Sequence, residues 1–298
     1  MYTENIFYAL DTTLHMISCV YFFMYAVQNN ALFFLFISAF SECKIGLIAH
    51  EGCHQAISRN YGYLYDIFFS SSEMWIEKHN KKHHLYTNKE EDPDINIDPF
   101  LRITYAQPIF WYHKYQHIYQ YLLFTLGAFS LRIQGLYYIS KKSNTVKLYH
   151  IILNIPYLLV FIIYPVMKWN VYGIVFNIIQ NMLVGLFYGI IFSVSHVNEK
   201  VLFDDNETIF EIIQLNETAD WSTESIFWNY VTNGLNHQVI HHVKPKLSSY
   251  NYPSYSKIFK SKYPKKYKTF ENILYAVKSN YNHMKKLGNF KCKVINSN

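Results

Sequence analysis

Apolar residues run through this chain in four long blocks rather than in the short stripes of a soluble domain. The blocks cover roughly residues 7–27, 31–49, 148–167 and 171–195. Each is close to the ~20 residues a helix needs to cross a ~30 Å hydrocarbon layer. Only residues 28–30 and 168–170 interrupt them pairwise. The pattern therefore predicts an all-α integral membrane protein with about four transmembrane helices in two hairpins. Asp11 and His15 break the first block one turn apart, and are expected at the membrane interface or paired with each other. That block lacks the basic leader and small-residue cleavage site of a signal peptide, so it is expected to stay in the mature protein.

Two polar segments, 50–147 and 196–298, follow the hairpins. They hold 25 of the 27 Lys and Arg residues, and the hairpin topology puts both on one side. The positive-inside rule makes that side cytosolic, which in a eukaryotic cell implies the endoplasmic reticulum membrane. Composition agrees: 51% hydrophobic, 19% aromatic and 16% charged is too apolar for an ordinary soluble domain. The net charge of +6 suits an acidic protein partner and anionic lipid, and no nucleic-acid partner is expected. Cys19, Cys43, Cys53 and Cys292 show no CxxC spacing, so neither a disulfide framework nor a thiolate metal site is indicated. The sequons at Asn206 and Asn216 would face the cytosol and stay unmodified. No linker or repeat divides the chain, which reads as one domain over 1–298 with a basic, membrane-apposed tail over 256–298.

Candidate chemistry comes from histidine. Eight of the 14 histidines fall in three clusters: His50-Glu-Gly-Cys-His54, His79-Asn-Lys-Lys-His83-His84 and His237-Gln-Val-Ile-His241-His242. Helix positions three or four apart share a face, so His50/His54, His79/His83 and His237/His241 can each bind as a unit. Neutral imidazole is the commonest side-chain metal ligand, and eight placed this way imply more than one ion. A single such pair is usually a solvated helix face. His113 and His117, in the stretch FWYHKYQHIYQY, accordingly read as part of an interfacial helix, and His15, His150 and His283 as structural.

The clusters carry a resemblance. They match the boxes HX3–4H, HX2–3HH and (H/Q)X2–3HH of the membrane-bound fatty acid desaturases. The run WIEKHNKKHHLYTNKEEDPDI, the segment YQHIY at 115–119 and GLNHQVIHHVKPKLSSYNYP are similar to that family as well. The likeness covers about residues 30–270 and is strongest to the front-end branch. It implies a four-helix scaffold under a cytosolic helical cap holding two iron ions. By the same resemblance the ligands are His50, His54, His79, His83, His84, His241 and His242, with His196 at the end of the fourth block as an extra one. One position stays open. Gln238 fills the (H/Q) slot, whereas His237 repeats the spacing of His79, and imidazole is the better iron ligand. Phe192 stands where the stearoyl-type branch has Asn, which leaves a water-mediated ligand in question.

The implied reaction uses O2 as co-substrate to place a cis double bond in a long acyl or sphingoid chain, carried as an acyl-lipid or acyl-CoA. In the front-end branch, the new bond lies between an existing double bond and the carboxyl end. An unactivated methylene has no acidic proton and no leaving group, so side-chain acid–base catalysis cannot break it, and a metal has to do the hard step. Electrons would come from an external cytochrome b5 or ferredoxin. The chain starts almost directly with its first block, so the donor is expected to be a separate protein.

Three other readings compete. His50-Glu51-Gly52-Cys53-His54 also spells HExxH, the zinc metalloprotease signature with Glu51 as general base. A di-iron hydroxylase would begin with the same hydrogen abstraction. A non-catalytic metal-binding membrane protein has no positive feature in the sequence. Finally, Ala39 and Cys43 lie eleven and seven residues before His50, as Gly185 and Gly189 do before His196. These small residues either border a tunnel for the acyl chain or allow close helix packing.

Overall fold

The computed structural model describes residues 2–68, 71–203 and 207–289. The sequon at Asn206, Cys292 and residues 290–298 lie outside them. Four helices are long and apolar enough to cross a membrane: Ile6–Asn29, Leu32–His54, Asn144–Trp169 and Val171–His196. The two hairpins turn on Asn30 (φ 51°) and Asn170 (φ 52°), a backbone region that asparagine tolerates better than most residues. Pro156 interrupts the hydrogen-bond ladder of the third span, and a wide-turn segment follows at Leu159–Ile163. The second span runs past its apolar block to His54 and stops at Gln55 in the left-handed conformation. Its last turn packs so closely on the next segment that a Cβ on Gly52 would lie 2.4 Å from Gly62 N.

Asp11 and His15 pair as expected, with Nε2 to Oδ1 at 3.4 Å, but they are buried rather than at an interface. Lys44 Nζ lies 3.6 Å from the same carboxylate.

A fifth apolar element departs from the expected interfacial helix. Trp111–Thr125 and Gly127–Ser140 are joined by a 58° bend and pack along the fourth span. Gly185 and Gly189 receive this arm: a Cβ on Gly185 would sit 2.5 Å from Phe124 O, and one on Gly189 2.3 Å from Phe124 Cγ. Of the two readings of the fourth-span small residues, close packing holds, because Phe124 fills the space a tunnel would need. Further along the arm, Arg132 Nη2 donates to Glu42 Oε1 and Nε to Asn181 Oδ1, both at 3.2 Å, and the guanidinium lies 4.0 Å from the Tyr157 ring centroid.

The rest forms a cap over one end of the four spans. Short helices, among them Phe210–Glu217, Gln238–Val243 and Tyr252–Lys262, pack on one another there, and Trp221 is fully buried in a cluster with Leu47, Ile191 and Val194 and donates from Nε1 to Ser195 Oγ at 3.1 Å. Asp220–Trp221 and Thr269–Phe270 pair as a two-residue parallel ladder. The basic segment from 256 onward folds into this cap through the helix Ile273–Asn289. That helix clamps the arm, with Gln116 Nε2 donating to Met284 O at 2.8 Å and Arg102 Nη1 to Leu287 O at 2.7 Å.

Candidate metal centre

Four elements bring the histidines to the junction of spans and cap. His50 and His54 stand on the last turns of the second span, and His196 ends the fourth. The second cluster lies on a wide-turn helix, Ile76–His83, in which His84 N–H donates to His79 O at 3.2 Å. This corrects the α-helical pairing expected for His79/His83. In an α-helix residue i+5 points about 140° away from residue i. Bonding to the fifth residue widens the turn past four residues and brings that angle under about 90°. His79, His83 and His84 can then all face one point. The third cluster also differs from a four-residue helical pair. The helix begins at Gln238, and His237 is the non-helical residue before it.

The chain's fold groups the imidazoles in two sets. Ligand atoms of His50, His54, His79 and His241 lie within 4.8 Å of one another, as do those of His83, His196 and His242, with His84 reaching His241 and His242. Nε2 of His50 is 2.9 Å from Nε2 of His79, and Nε2 of His84 is 3.3 Å from the same atom. All eight rings are buried. Gln238 joins the second set, its amide nitrogen 2.9 Å from His196 Nε2. An amide flip would present Oε1 at the same place. His237 does not join: Nδ1 meets Ser256 Oγ at 2.7 Å and Nε2 meets Asn229 Oδ1 at 2.9 Å. Burial lowers its pKa to about 4, which favours the neutral ring.

Nδ1 of His84 and of His196 is buried with no hydrogen-bond partner among the described residues, but four other outward nitrogens are held. Nδ1 of His79 lies 2.6 Å from Asp94 Oδ2, and Nδ1 of His83 lies 2.9 Å from Asp92. Nδ1 of His242 meets Gln214 Oε1 at 2.8 Å, and Nδ1 of His241 meets Tyr252 OH at 3.2 Å. The inward atoms are not. Among the described residues, His54 Nε2, His241 Nε2, His242 Nε2 and Gln238 Oε1 are buried with no hydrogen-bond partner. Anchored outer nitrogens and orphaned inner ones are the pattern of metal-ligating histidines. Burial, and after it the crowding imidazoles, pushes His79, His84, His241 and His242 well below the ordinary histidine range, which keeps their lone pairs available. Burial alone would lower His83 too, but the carboxylate of Asp92 outweighs it and holds His83 above that range.

Sequence reasoning did not assign the outer anchors. Asp92, Asp94 and Tyr252 lay in family-like runs without a role, and Gln214 carried no signal. Asn88, in the Thr-Asn of the same run as Asp92, was also without a role; its amide donates to the carbonyls of His196, Leu202 and Glu217 and so ties the second cluster to the end of the fourth span. His113 is structural as expected, Nε2 meeting Pro99 O at 2.8 Å. His150 lies 2.8 Å from Asp66, and His283 stacks on Phe203.

Glu51 turns away from the cluster. Its Oε2 accepts from Asn233 Nδ2 at 2.8 Å and its Oε1 from Ser249 N at 2.6 Å. A general base would need a free carboxylate facing the metal.

Comparison with known proteins agrees with this geometry. The profile of the family described as fatty acid desaturase matches residues 29–272. Acyl-lipid (8-3)-desaturase B of Dictyostelium discoideum is 32% identical over 92% of this chain and 64% of its own length. Acyl-lipid (8-3)-desaturase of Physcomitrium patens is 30% identical over 87% of this chain and 60% of its own. The sn-1 linoleoyl-lipid 6-desaturase of Synechocystis sp. is 29% identical over 81% and 76%. The chain thus spans rather less than two thirds of the first two relatives. With the family match covering most of its length, this chain belongs to the fatty acid desaturase family.

Proposed function

We propose that this protein is an O2-dependent desaturase of long fatty acyl chains, of front-end type, working through a histidine-ligated di-iron centre. The observation that carries it is the set of buried, inward-facing nitrogens with no hydrogen-bond partner among the described residues, on rings of which several are anchored by their outer nitrogens. His50, His54, His79, His84 and His241 would hold one iron ion, and His83, His196, His242 and Gln238 the other, with His84 placed to serve either. Iron bound there supplies O2 activation, which no side chain can supply. The chain's own part is positional. Asp92, Asp94, Gln214 and Tyr252 fix ring orientation and tautomer, and burial of every ring keeps water from the reacting carbons. Overall, two hydrogens leave adjacent methylenes, and O2, two electrons and two further protons complete the balance as two waters.

Gln238 at the inner surface, rather than His237, agrees with the front-end pattern, as do relatives named for (8-3) and Delta(5) desaturation. The substrate is then an acyl-lipid that already carries a double bond. The basic cap faces the cytosol, of the endoplasmic reticulum in a eukaryotic cell, and a cytochrome b5 or ferredoxin delivers electrons to it. The protease reading loses its base, because Glu51 is committed to Asn233 and Ser249.

Expression in a host that has its own cytochrome b5, fed defined polyunsaturated fatty acids, tests the reading by lipid profiling. A new double bond on the carboxyl side of an existing one is expected. It should vanish in His50→Ala and persist at a substantial level in Glu51→Gln. Products unsaturated only toward the methyl end, or a hydroxylated product, would refute the front-end assignment.

A further inference from the structure

One face of the cap is apolar. The short helix Ile226–Val231 turns two of the chain's most exposed apolar side chains outward, Ile226 (86%) and Phe227 (64%), while Trp228 packs inward on Trp221. Isolated on an aqueous face, such a pair would expose a large apolar patch for no return.

The helix is tied to the spans at a depth the contacts define. Tyr230 OH donates to Asp11 Oδ1 at 2.9 Å and lies 2.9 Å from His15 Nε2, and His15 Nδ1 meets Ser41 Oγ at 3.3 Å. Lys44 Nζ donates to Tyr230 O at 2.7 Å and stands 4.3 Å from the Tyr230 ring centroid. Counted from the hairpin turn, His15 is about 21 Å along the first span and Lys44 about 18 Å along the second. In a ~30 Å hydrocarbon layer whose far edge is at that turn, the Tyr230 ring lies about 9 Å inside the cap-side boundary. Leu14, at about the same height on the first span, and Leu10, about 7 Å nearer the cap-side boundary, are exposed on the span's surface.

We propose that the helix Ile226–Val231 is a wedge sunk in the cap-side leaflet, with Ile226 and Phe227 in contact with lipid acyl chains. Its occupant is the bilayer, by continuity with the lipid face of the first span. Asp11, His15 and Lys44 are buried there, and together with the partly exposed Tyr230 they pair the polar groups this depth strands. The proposal stands on geometry and holds whatever the reaction. It has a consequence for that reaction: Gly234 and the helix Gln238–Val243 follow directly, so one histidine cluster is hung from an element that touches lipid.

A bimane label at Phe227→Cys tests this, in the full chain carrying Cys292→Ser and reconstituted in phosphatidylcholine vesicles. Cys19, Cys43 and Cys53 are buried and leave the background low. Nitroxide at carbon 5 of the lipid chains should quench this label several-fold more than one at Lys278→Cys on the outer cap, while aqueous iodide quenches only the latter. Iodide quenching at 227 equal to that at 278 would overturn the wedge. Protection from both quenchers would overturn it too, in favour of protein covering the patch. Ile226→Cys repeats the test if the Phe227 variant does not fold.

Discussion

At the scale of single residues, the site turns on one-position differences in direction. Gln238 and His237 are neighbours, yet one starts the helix facing inward and the other precedes it facing Ser256 and Asn229. Gln238→Ala is therefore expected to lower bound iron and activity together, by at least about 10- to 100-fold in affinity, the loss seen when even a group supporting a ligand is removed. His237→Ala should keep its iron and lose only stability, about 1–3 kcal/mol from the stranded partners. Iron analysis of both purified variants checks this, and the reverse outcome would put His237 in the centre. His283 offers a test outside the centre. Burial lowers its pKa to about 4, below the ordinary 6.5, so the fold favours the neutral ring. That stability is present above pH 6.5 and is lost as the pH falls from 6.5 toward 4. The thermal midpoint of the wild type should drop over that window more steeply than that of His283→Phe, which keeps the stack on Phe203. Parallel curves would exclude the effect.

Among elements, the four spans were legible because a ~20-residue apolar block has few other uses. The histidine boxes were legible because each packs its ligands into a few residues. The arm from Trp111 to Ser140 was not, since Lys114, Gln116, Gln120 and Arg132 break its apolar run, and Gln116, Gln120 and Arg132 find their partners only in the folded chain. Nor was the wide-turn winding of the second box. Spacing states how many residues separate two histidines, whereas the hydrogen-bond register sets the angle between them. The arm also decides how the fourth-span glycines behave. Gly189→Leu should collide with Phe124 and lower yield, thermal stability and conversion of all chain lengths together, by about 1–3 kcal/mol. Adding Phe124→Ala should restore part of that loss. Selective loss of long chains at full yield would revive the tunnel.

For the whole molecule, the spans and cap are one machine for presenting neutral imidazoles to metal. The outer anchors come from residues 87–94, 214 and 252, so the centre exists only once the cap has closed on the spans. That is why Asp92, Gln214 and Tyr252 could not be assigned from sequence, while the ligands themselves could. Metal content is the most direct measure of the account. The protein purified from cells grown with iron and zinc both available should carry about two irons per chain and little zinc, as a nitrogen-rich site for O2 chemistry requires. Iron should fall away in His54→Ala and in His242→Ala alike, one from each set. A single zinc per chain with no iron would contradict the di-iron centre and with it the proposed reaction.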